Sequence, residues 1–385
     1  MSDWHPTACV LCENNCGIEV KISDNGQRIE KVRGDNNHPG SAGYLCQKAS
    51  RLDHYQNSVD RILHPLKRQK DGKYTRISWD QAIHEIASKL TQVRDSFGGD
   101  KLFYYGGGGQ GNHLPGGYGM TTVSALGGKY RTNSLAQEKT GEGWVSASMF
   151  GGYAQRGDFE HCEVGVFIGK NPWHSHGVQR SRIELREMAK NPKRALVVFD
   201  PRISETAEIA NYHVRLKPGT DAWALAAIIG IFIEENLVKW DWLETHVTAY
   251  REVIDLFKNI PISKYCEYCG VPEKQLRDLS HRLAEAESIA WYEDLGVQMN
   301  RNSTLVSYLH RVAWLITGSF GKKGSQFIPN TIRPLMSGNP SLAKKSPVLG
   351  VPLLSGLVPC NIVAEEILSD HPDRYRAMII ESSNP

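Results

Sequence analysis

The sequence predicts an α/β fold in which parallel strands alternate with helices, preceded by a small cysteine-rich domain. Two observations predict the α/β part: short apolar segments alternate with capped helical segments, and glycine or polar residues follow the strands directly. A third observation predicts the first domain, because four of the eight cysteines stand before residue 50. We therefore expect a thiol-bound domain in front of parallel sheets that are covered on both faces.

The early cysteines are Cys9, Cys12, Cys16 and Cys46, in the pattern C-x2-C-x3-C-x29-C. Three thiolates in one loop and a fourth from a distance are typical of a [4Fe–4S] cubane. The alternative is a zinc site, which can also use four cysteines but usually has two C-x2-C pairs. The second pair is missing here, so the spacing favours the cluster.

Composition places the chain among ordinary globular proteins. Its 385 residues allow two or three domains, and a net charge of +3 gives no reason to expect nucleic-acid binding. The first residues lack an export-signal pattern, and free cysteines are typical of a reducing compartment, so we predict a cytoplasmic location. The longest apolar run, 222–233, is far shorter than the roughly 20 residues of a membrane span and predicts a buried helix.

The elements follow one another in a regular order. A capping box, Ser78 to Gln81, opens a helix whose apolar face is predicted to comprise Ile83, Ile86, Ala87, Leu90 and Val93. Strands are predicted at 102–105, 163–169 and 195–199, and helices at 179–190 and 222–235. Ligands of such sheets bind beyond the carboxyl ends of the strands, where the informative loops of this chain stand.

A glycine run at 106–111 matches G-x-G-x-x-G after a strand. A nicotinamide site would also need an acidic residue about 20 positions later, and residues 120–129 contain none. We therefore interpret the run as a loop that lets the backbone approach a bulky ligand.

Three further loops carry candidate ligand-binding groups. They are Gly169 to Asn171, Asp200 to Arg202, and Gly219 to Asp221. Amide, carboxylate, guanidinium and helix N-terminal N–H groups suit a nucleotide, but each loop alone could equally be a turn, a salt-bridged strand end or a capped helix. His174 and His176 could hold a metal but are more often plain loop histidines. Cys266 and Cys269 are predicted to be structural.

Together these motifs resemble the molybdopterin oxidoreductase family, of the dimethyl sulfoxide reductase type that includes formate dehydrogenases and nitrate reductases. The resemblance covers nearly the whole chain. It is carried by the four cysteines and by the segments 43–48, 76–82, 167–171, 200–202, 218–221 and 318–324. It implies a [4Fe–4S] cluster beside bis-molybdopterin guanine dinucleotide with molybdenum or tungsten.

The resemblance also implies roles for individual residues. Lys48 matches the lysine between cluster and pterin, where it would relay electrons. Gly296 and Gln298 match contacts to one dinucleotide. The positions that match contacts to the other dinucleotide are Gly169, Asn171, Asp200, Arg202, Gly219 and Asp221.

One departure concerns the position that usually supplies a side-chain ligand to the metal, which falls near Lys139. An ammonium cannot ligate a metal. A shift of one residue would offer the carboxylate of Glu138, and otherwise the metal has no protein ligand and Lys139 acts electrostatically on anionic substrates. We favour the second interpretation, and formate chemistry is disfavoured because Thr140 replaces the expected histidine.

The second departure is length, because family catalytic chains continue well beyond 385 residues. We expect either a truncated sequence or a fold completed by another polypeptide. The predicted domains are 1–60 for the cluster, 61–135 plus 325–385 for a discontinuous α/β domain, and 136–324 for dinucleotide binding. This Rossmann-like arrangement looks incomplete at its C-terminus.

The predicted function is a molybdenum- or tungsten-dependent oxidoreductase that works with an iron–sulfur or flavin electron-transfer subunit. The resemblance leaves two alternatives. One is a non-catalytic iron–sulfur carrier or scaffold, and the other is a redox-neutral hydratase of the acetylene hydratase kind.

Overall fold

The chain folds as two units, one formed by Met1–Gln137 with Ser341–Pro385 and the other by Glu138–Pro340. The computed structural model describes residues 4–106, 114–151, 155–175, 177–329, 344–354 and 356–383. The division into three domains stays a prediction.

After residue 60 most strands are followed by a helix, as expected, but five helices follow one another between residues 221 and 285. The strands are β1 (Trp4–Ala8), β2 (Gly17–Ile22), β3 (Ile29–Gly34), β4 (Leu66–Arg68), β5 (Tyr74–Arg76), β6 (Leu102–Gly106), β7 (Tyr130–Thr132), β8 (Arg156–Gly157), β9 (Val164–Ile168), β10 (Ala195–Phe199), β11 (Tyr212–Val214), β12 (Ile289–Glu293), β13 (Gln326–Phe327) and β14 (Ala377–Glu381). The helices are α1 (Leu52–Asn57), α2 (Trp79–Phe97), α3 (Leu114–Ala125), α4 (Leu135–Glu138), α5 (Thr140–Phe150), α6 (Ser181–Lys190), α7 (Asp221–Glu234), α8 (Trp240–His246), α9 (Tyr250–Asp255), α10 (Ile262–Cys269), α11 (Glu273–Glu285), α12 (Leu295–Gln298), α13 (Ser303–Ile316) and α14 (Val363–Leu368).

The N-terminal segment folds around a three-stranded antiparallel sheet in the order β1-β2-β3. Ile18 and Val20 of β2 are buried with Leu52 and Ala49, and the thiol of Cys9 belongs to the same small core. The core is small, so this region depends on what its cysteines bind more than a larger domain would.

Helix α2 begins where the capping box predicts. The Ser78 hydroxyl accepts the Gln81 backbone N–H at 3.1 Å, whereas the Gln81 side chain donates to Glu85 instead of returning to Ser78. The predicted apolar face is only partly right. Leu90 and Val93 pack on the core of the first parallel sheet, but Ile83 and Ile86 are 62% and 56% exposed. The helix therefore packs on this unit through its C-terminal half.

The first parallel sheet has the order β14-β6-β7, and both pairs in it are parallel. The strand predicted at 102–105 is confirmed as β6. Most of the glycine run that follows lies outside the described residues, which resume at 114.

The second parallel sheet has the order β11-β10-β9-β12 and confirms the prediction of a sheet covered on both faces. Alternate residues of β9 and β10 face opposite cores: Val166 and Val197 face the larger one, and Phe167 and Val198 the smaller. Helix α6 covers the smaller core, and α7, α11 and α13 cover the larger.

Helix α7 realises the predicted buried apolar segment. It begins at Asp221, and its residues from Ala224 to Phe232 are all buried. Among the helices that the structure describes, none is long and apolar enough to cross a membrane.

The order in which the chain adds strands to the second sheet reverses at β9. It runs from β9 to β10 and β11 on one side and then places β12 on the other side of β9. Such a switch point, at the carboxyl ends of the strands, is where open α/β sheets bind ligands. The loops after β9 and β12 therefore frame the candidate site.

Candidate functional site

The loop of the first three cysteines is held by the backbone. The N–H of Cys9 donates to the carbonyl of Cys16 at 2.8 Å, and that of Asn15 to Cys12 at 3.3 Å. Cys46 comes from the distant segment, where its sulfur accepts the Ala49 backbone N–H at 3.5 Å. The structure thus gathers the four predicted cluster cysteines in one region.

The pKa of the Cys16 thiol reflects its burial and the presence of the neighbouring thiols. Burial raises the pKa of Cys16 to about 11, and the nearby thiols of Cys12, Cys9 and Cys46 raise it further. Such thiols ionise when a metal centre supplies positive charge. Four free cysteines within electrostatic range of one another form a donor set whose chemistry fits an iron–sulfur cluster.

No group of three or more His, Cys, Asp or Glu residues in the described ranges is placed to hold one metal ion. This observation applies also to His174, while His176 lies outside the described residues.

Lys48 lies at the edge of the cysteine region. It is exposed and precedes a short 3-10 helix, Ala49–Arg51. Burial raises the pKa of Cys9, and the Lys48 charge acts in the opposite direction, which places the lysine within electrostatic range of that sulfur. Its role as an electron relay stays a prediction.

In the second unit, Asn171 stands three residues beyond β9 and is engaged by a neighbouring loop. Its amide donates to the carboxylate of Glu205 at 2.7 Å, and its carbonyl oxygen accepts the Thr206 hydroxyl at 2.6 Å. Glu205 also lies 3.6 Å from the Arg202 guanidinium and 3.5 Å from His174. Sequence reasoning missed Glu205 and Thr206, although they stand within four residues of the Asp200–Arg202 motif.

Asp200 and Arg202 form a turn at the end of β10. The Asp200 carboxylate accepts the backbone N–H of Arg202 at 2.8 Å. The Asp200 backbone carbonyl contacts Nε2 of His213 on β11 at 2.9 Å. The motif is therefore held rigidly at the carboxyl edge, while the Arg202 side chain is 65% exposed.

Asp221 is the first residue of α7 and is buried, with 6% of its surface exposed. Burial raises its pKa to about 6, and the negative charges of Asp200 and Glu293 contribute. Gly219, just before it, has a positive φ of 78° and open space where a Cβ would stand. The structure thus brings Asp200 and Asp221 within electrostatic range at one sheet edge.

Gly169 and Gly296 lie against each other. The Gly296 N–H donates to the Gly169 carbonyl at 2.9 Å, and a Cβ on Gly169 would stand 2.7 Å from the Val297 nitrogen. These two glycines are thus required by the close approach of the loops after β9 and β12, which is a structural reason beside the predicted ligand contacts.

Lys139 is an ion-paired residue. Its ammonium lies 2.9 Å from the Asp294 carboxylate and 3.1 Å from that of Glu142, and its side chain is 13% exposed. Asp294 also binds the fully buried ammonium of Lys170, which follows β9. The two lysines hold the pKa of Asp294 well below its usual range, against the effect of burial.

This cluster continues into a second layer of buried polar groups. Gln298 accepts the Glu142 backbone N–H at 3.1 Å and donates to Ser307, which donates to Glu293 at 3.0 Å. Arg311 pairs with Glu293 and lies 3.8 Å from Glu142. The amide of Gln298, predicted as a ligand contact, is thus used inside the protein.

Three further predictions concern residues outside this cluster. Cys266 and Cys269 are buried at the end of α10, as expected for structural cysteines. Of the two remaining cysteines, Cys162 is buried and Cys360 is partly exposed. Glu138 ends α4 and is partly buried, and its role as a metal ligand stays a prediction.

The carboxyl edge of the second sheet fits a nucleotide-bearing cofactor. It offers an amide, a guanidinium and two carboxylates from three loops, which suit phosphate and a purine edge. The Ser175 hydroxyl oxygen is buried there with no hydrogen-bond partner among the described residues, which is the condition of a group that a ligand satisfies.

Comparison with known proteins identifies the family. Residues 2–58 match the family model of the molybdopterin oxidoreductase Fe4S4 domain, and residues 61–380 match that of molybdopterin oxidoreductase. The nitrate reductase of Symbiobacterium thermophilum is 34% identical over 357 residues, which are 87% of this chain and 46% of that protein. The periplasmic nitrate reductase of Desulfovibrio desulfuricans is 28% identical over an alignment that covers 87% of this chain and 46% of that protein.

The fold is matched by a solved structure. Acetylene hydratase from Pelobacter acetylenicus superposes with a TM-score of 0.72 at 24% identity, covering 84% of this chain and 44% of that one. The chain thus spans about half the length of the curated relatives it matches. Since family models cover nearly all of it, the chain belongs to the molybdopterin oxidoreductase family and carries that family's Fe4S4 domain at residues 2–58.

Proposed function

We propose that this chain is the part of a molybdenum- or tungsten-dependent oxidoreductase that carries the [4Fe–4S] cluster and a dinucleotide-binding sheet. When bound, bis-molybdopterin guanine dinucleotide supplies two-electron chemistry through its metal. The relatives named nitrate reductases favour a small oxyanion such as nitrate as the substrate.

The observation that carries the proposal is the grouping of nucleotide-type ligands at one carboxyl edge. The amide of Asn171 and the guanidinium of Arg202 suit phosphate, and the carboxylates of Asp200 and Asp221 suit a purine edge. A non-catalytic scaffold would not need these loops. Gly219 gives the turn its shape, and Gly169, Gly296 and Gln298 support the edge from inside.

In this proposal Cys9, Cys12, Cys16 and Cys46 hold the cluster, and Lys48 lies beside it. The cluster exchanges single electrons with a separate iron–sulfur or flavin subunit. We keep the cytoplasmic prediction from the free cysteines, although one relative is named a periplasmic enzyme.

Lys139 contributes charge and hydrogen bonds, not a metal–ligand bond. Its ammonium is held by Asp294 and Glu142, and an ammonium has no lone pair to donate. Glu138, one residue earlier, is the alternative ligand. An anionic substrate is consistent with a lysine at this position.

Elemental analysis of the purified protein tests the proposal. We expect about four irons per chain, as a cubane requires, with stoichiometric molybdenum or tungsten. Iron without either metal would contradict the proposal and favour an electron carrier.

A matched pair of variants locates the iron. Cys12→Ser is expected to lower the iron content sharply, whereas Cys266→Ser, in the buried C-x2-C of α10, is expected to leave it unchanged. Equal iron in both variants would show that the cluster is elsewhere.

A second candidate function is favoured by the similarity to acetylene hydratase, at 26% identity over 83% of this chain. A hydratase turns over without an electron donor or acceptor. Activity of the purified protein that persists when both are omitted would select this candidate over the oxidoreductase.

A further inference from the structure

The carboxylate of Asp294 joins two lysines at the switch point of the second sheet. One of its oxygens lies 2.9 Å from Nζ of Lys139, and the other contacts Nζ of Lys170. Asp294 directly follows β12, and Lys170 stands two residues beyond β9. The ion pairs therefore connect the two strands that flank the switch point.

The Lys170 side of this arrangement is rigid. Its side chain is fully buried, and its ammonium lies 4.0 Å from the centre of the Tyr292 ring. The adjacent Gly169 is packed against Gly296, so neither loop can move without the other. Lys170 thus fixes the Asp294 carboxylate, and the carboxylate in turn holds Lys139.

The charges of the connected groups balance. The contacts described above join three cations and three carboxylates, namely Lys139, Lys170 and Arg311 with Glu142, Glu293 and Asp294. His310 beside them stays neutral, since burial lowers its pKa. Removing Asp294 would leave one positive charge uncompensated within this group, next to Lys139.

We propose that Asp294 is a positioning residue for Lys139, which holds the ammonium in one place and compensates its charge so that anions bind at Lys139 only weakly. This inference rests on the proposed function, in which Lys139 faces a small oxyanion. Asp294, which Lys170 holds in place, is therefore a determinant of how strongly the site retains an anion.

Nitrate binding to the full chain tests this directly. The probe is nitrate titrated at constant ionic strength against gluconate, with the apparent Kd taken from the shift in thermal unfolding. Asp294→Asn is expected to tighten nitrate binding by about fivefold, the effect of one uncompensated charge in a partly buried site. Asp294→Glu keeps the charge and is expected to restore the affinity of the unsubstituted protein to within about twofold.

The chain offers a matched control in Lys101, which is also buried and held by two carboxylates, Asp100 and Asp373. Asp373→Asn removes one of them in the other unit and is expected to leave nitrate affinity unchanged. Equal tightening in Asp373→Asn and Asp294→Asn would overturn the proposal, as would an Asp294→Glu variant that behaves like Asp294→Asn.

A double variant shows whether Lys139 is the cation whose charge is left uncompensated in Asp294→Asn. In Lys139→Met/Asp294→Asn the fivefold gain is expected to disappear, and its persistence would overturn the proposal. If Asp294→Asn does not fold, Lys139→Met alone still tests the proposal, because this variant leaves Asp294 paired with Lys170. It is expected to weaken nitrate binding, and a tightening would contradict the proposal.

Failure of the proposed function is distinguishable from failure of this inference. The first is read from molybdenum or tungsten content, and the second from nitrate affinity in variants that all retain the cluster cysteines. In an active holoenzyme, Asp294→Asn is also expected to lower KM and kcat together, because the anion is held more tightly by an ammonium that is less well placed.

Discussion

The two parallel sheets of this chain each have a switch point, and the two are built differently. In the first sheet it lies between β6 and β14, where the hydroxyl of Tyr104 donates to the carboxylate of Glu381 at 2.9 Å. In the second sheet it lies between β9 and β12, where Lys170 and Asp294 form a buried ion pair.

The difference indicates that the edge of the second sheet is the one specialised for charged groups. Removing ions from water costs several kcal/mol each, and apolar replacements of buried ion pairs are often as stable. In the first sheet the backbone ladder joins β6 and β14, and the side chains at this place add the hydrogen bond between Tyr104 and Glu381. The second sheet buries a network of six charged groups at the equivalent place, which fits a site that handles charged ligands better than a device for stability.

The largest expected effect breaks this network at the buried pair of Arg311 and Glu293. Arg311→Met leaves the carboxylate of Glu293, which is 1% exposed, without its guanidinium. We expect the free energy of unfolding to fall by about 3–5 kcal/mol. Denaturant titration followed by tryptophan fluorescence measures it, because Trp291 and Trp314 pack beside His310 in the same region. A loss below about 1 kcal/mol would show that the network behaves like a surface ion pair.

The next effect compares two buried lysines, one in each unit. Lys170→Met leaves Asp294 buried with Lys139 alone, and we expect a loss of about 2–3 kcal/mol. Lys101→Met is expected to cost about 1 kcal/mol or less, because Asp100 and Asp373 are 35% and 52% exposed and regain water. Equal losses in the same denaturant titration would remove the distinction between the two regions.

A smaller effect concerns pH. Burial raises the pKa of Asp221 to about 6, so the folded state binds more protons than the unfolded state between about pH 4 and 6. Stability is therefore expected to fall by about 2 kcal/mol as pH rises through this window, and Asp221→Asn to remove that loss. Unfolding curves at pH 4.5 and 7.5 check it.

The pH dependence of stability expected from Asp373 has the opposite sign to that expected from Asp221. The hydrogen bond from Lys101 lowers the pKa of Asp373, so its contribution is present above the ordinary aspartate pKa and is lost as pH falls through the folded value. Asp373→Asn should therefore destabilise the protein at pH 7.5 and leave the slope due to Asp221 intact. The same slope in Asp221→Asn as in the unsubstituted protein would contradict the assignment.

The smallest effect tests the first switch point. Tyr104→Phe removes one hydrogen bond to Glu381, which is partly exposed and can bind water instead, so we expect a loss of about 1 kcal/mol. A loss as large as that of Lys170→Met would mean that the two switch points are equally dependent on polar contacts.

Much of the fold could be predicted because the signals are local. The strands β6, β9 and β10 and the helix α7 coincide with the predicted apolar segments to within one or two residues. Prediction failed at Ile83 and Ile86, because periodicity shows that a helix has an apolar face but not what covers it.

The candidate site was predicted only in its outline. The ends of β9 and β10 identified Asn171, Asp200 and Arg202, since polar residues after parallel strands share one edge. Glu205 and Thr206, which engage Asn171, carried no signal beyond their closeness to that motif. Asp294, the distant partner of Lys139, was missed because it lies 155 residues away in the chain.

The sequence by itself determined the family, the spacing of the four N-terminal cysteines, the order of the strands along the chain and the presence of a lysine at position 139. These follow from residue types at fixed spacing, which need no knowledge of long-range contacts. Only the tertiary structure decided which groups surround that lysine, and the effect of an ammonium charge depends on the groups beside it. Because β12 pairs with β9, Asp294 lies between Lys139 and Lys170. The charge of Lys139, whose partner just after β12 is not evident from the sequence, is therefore compensated.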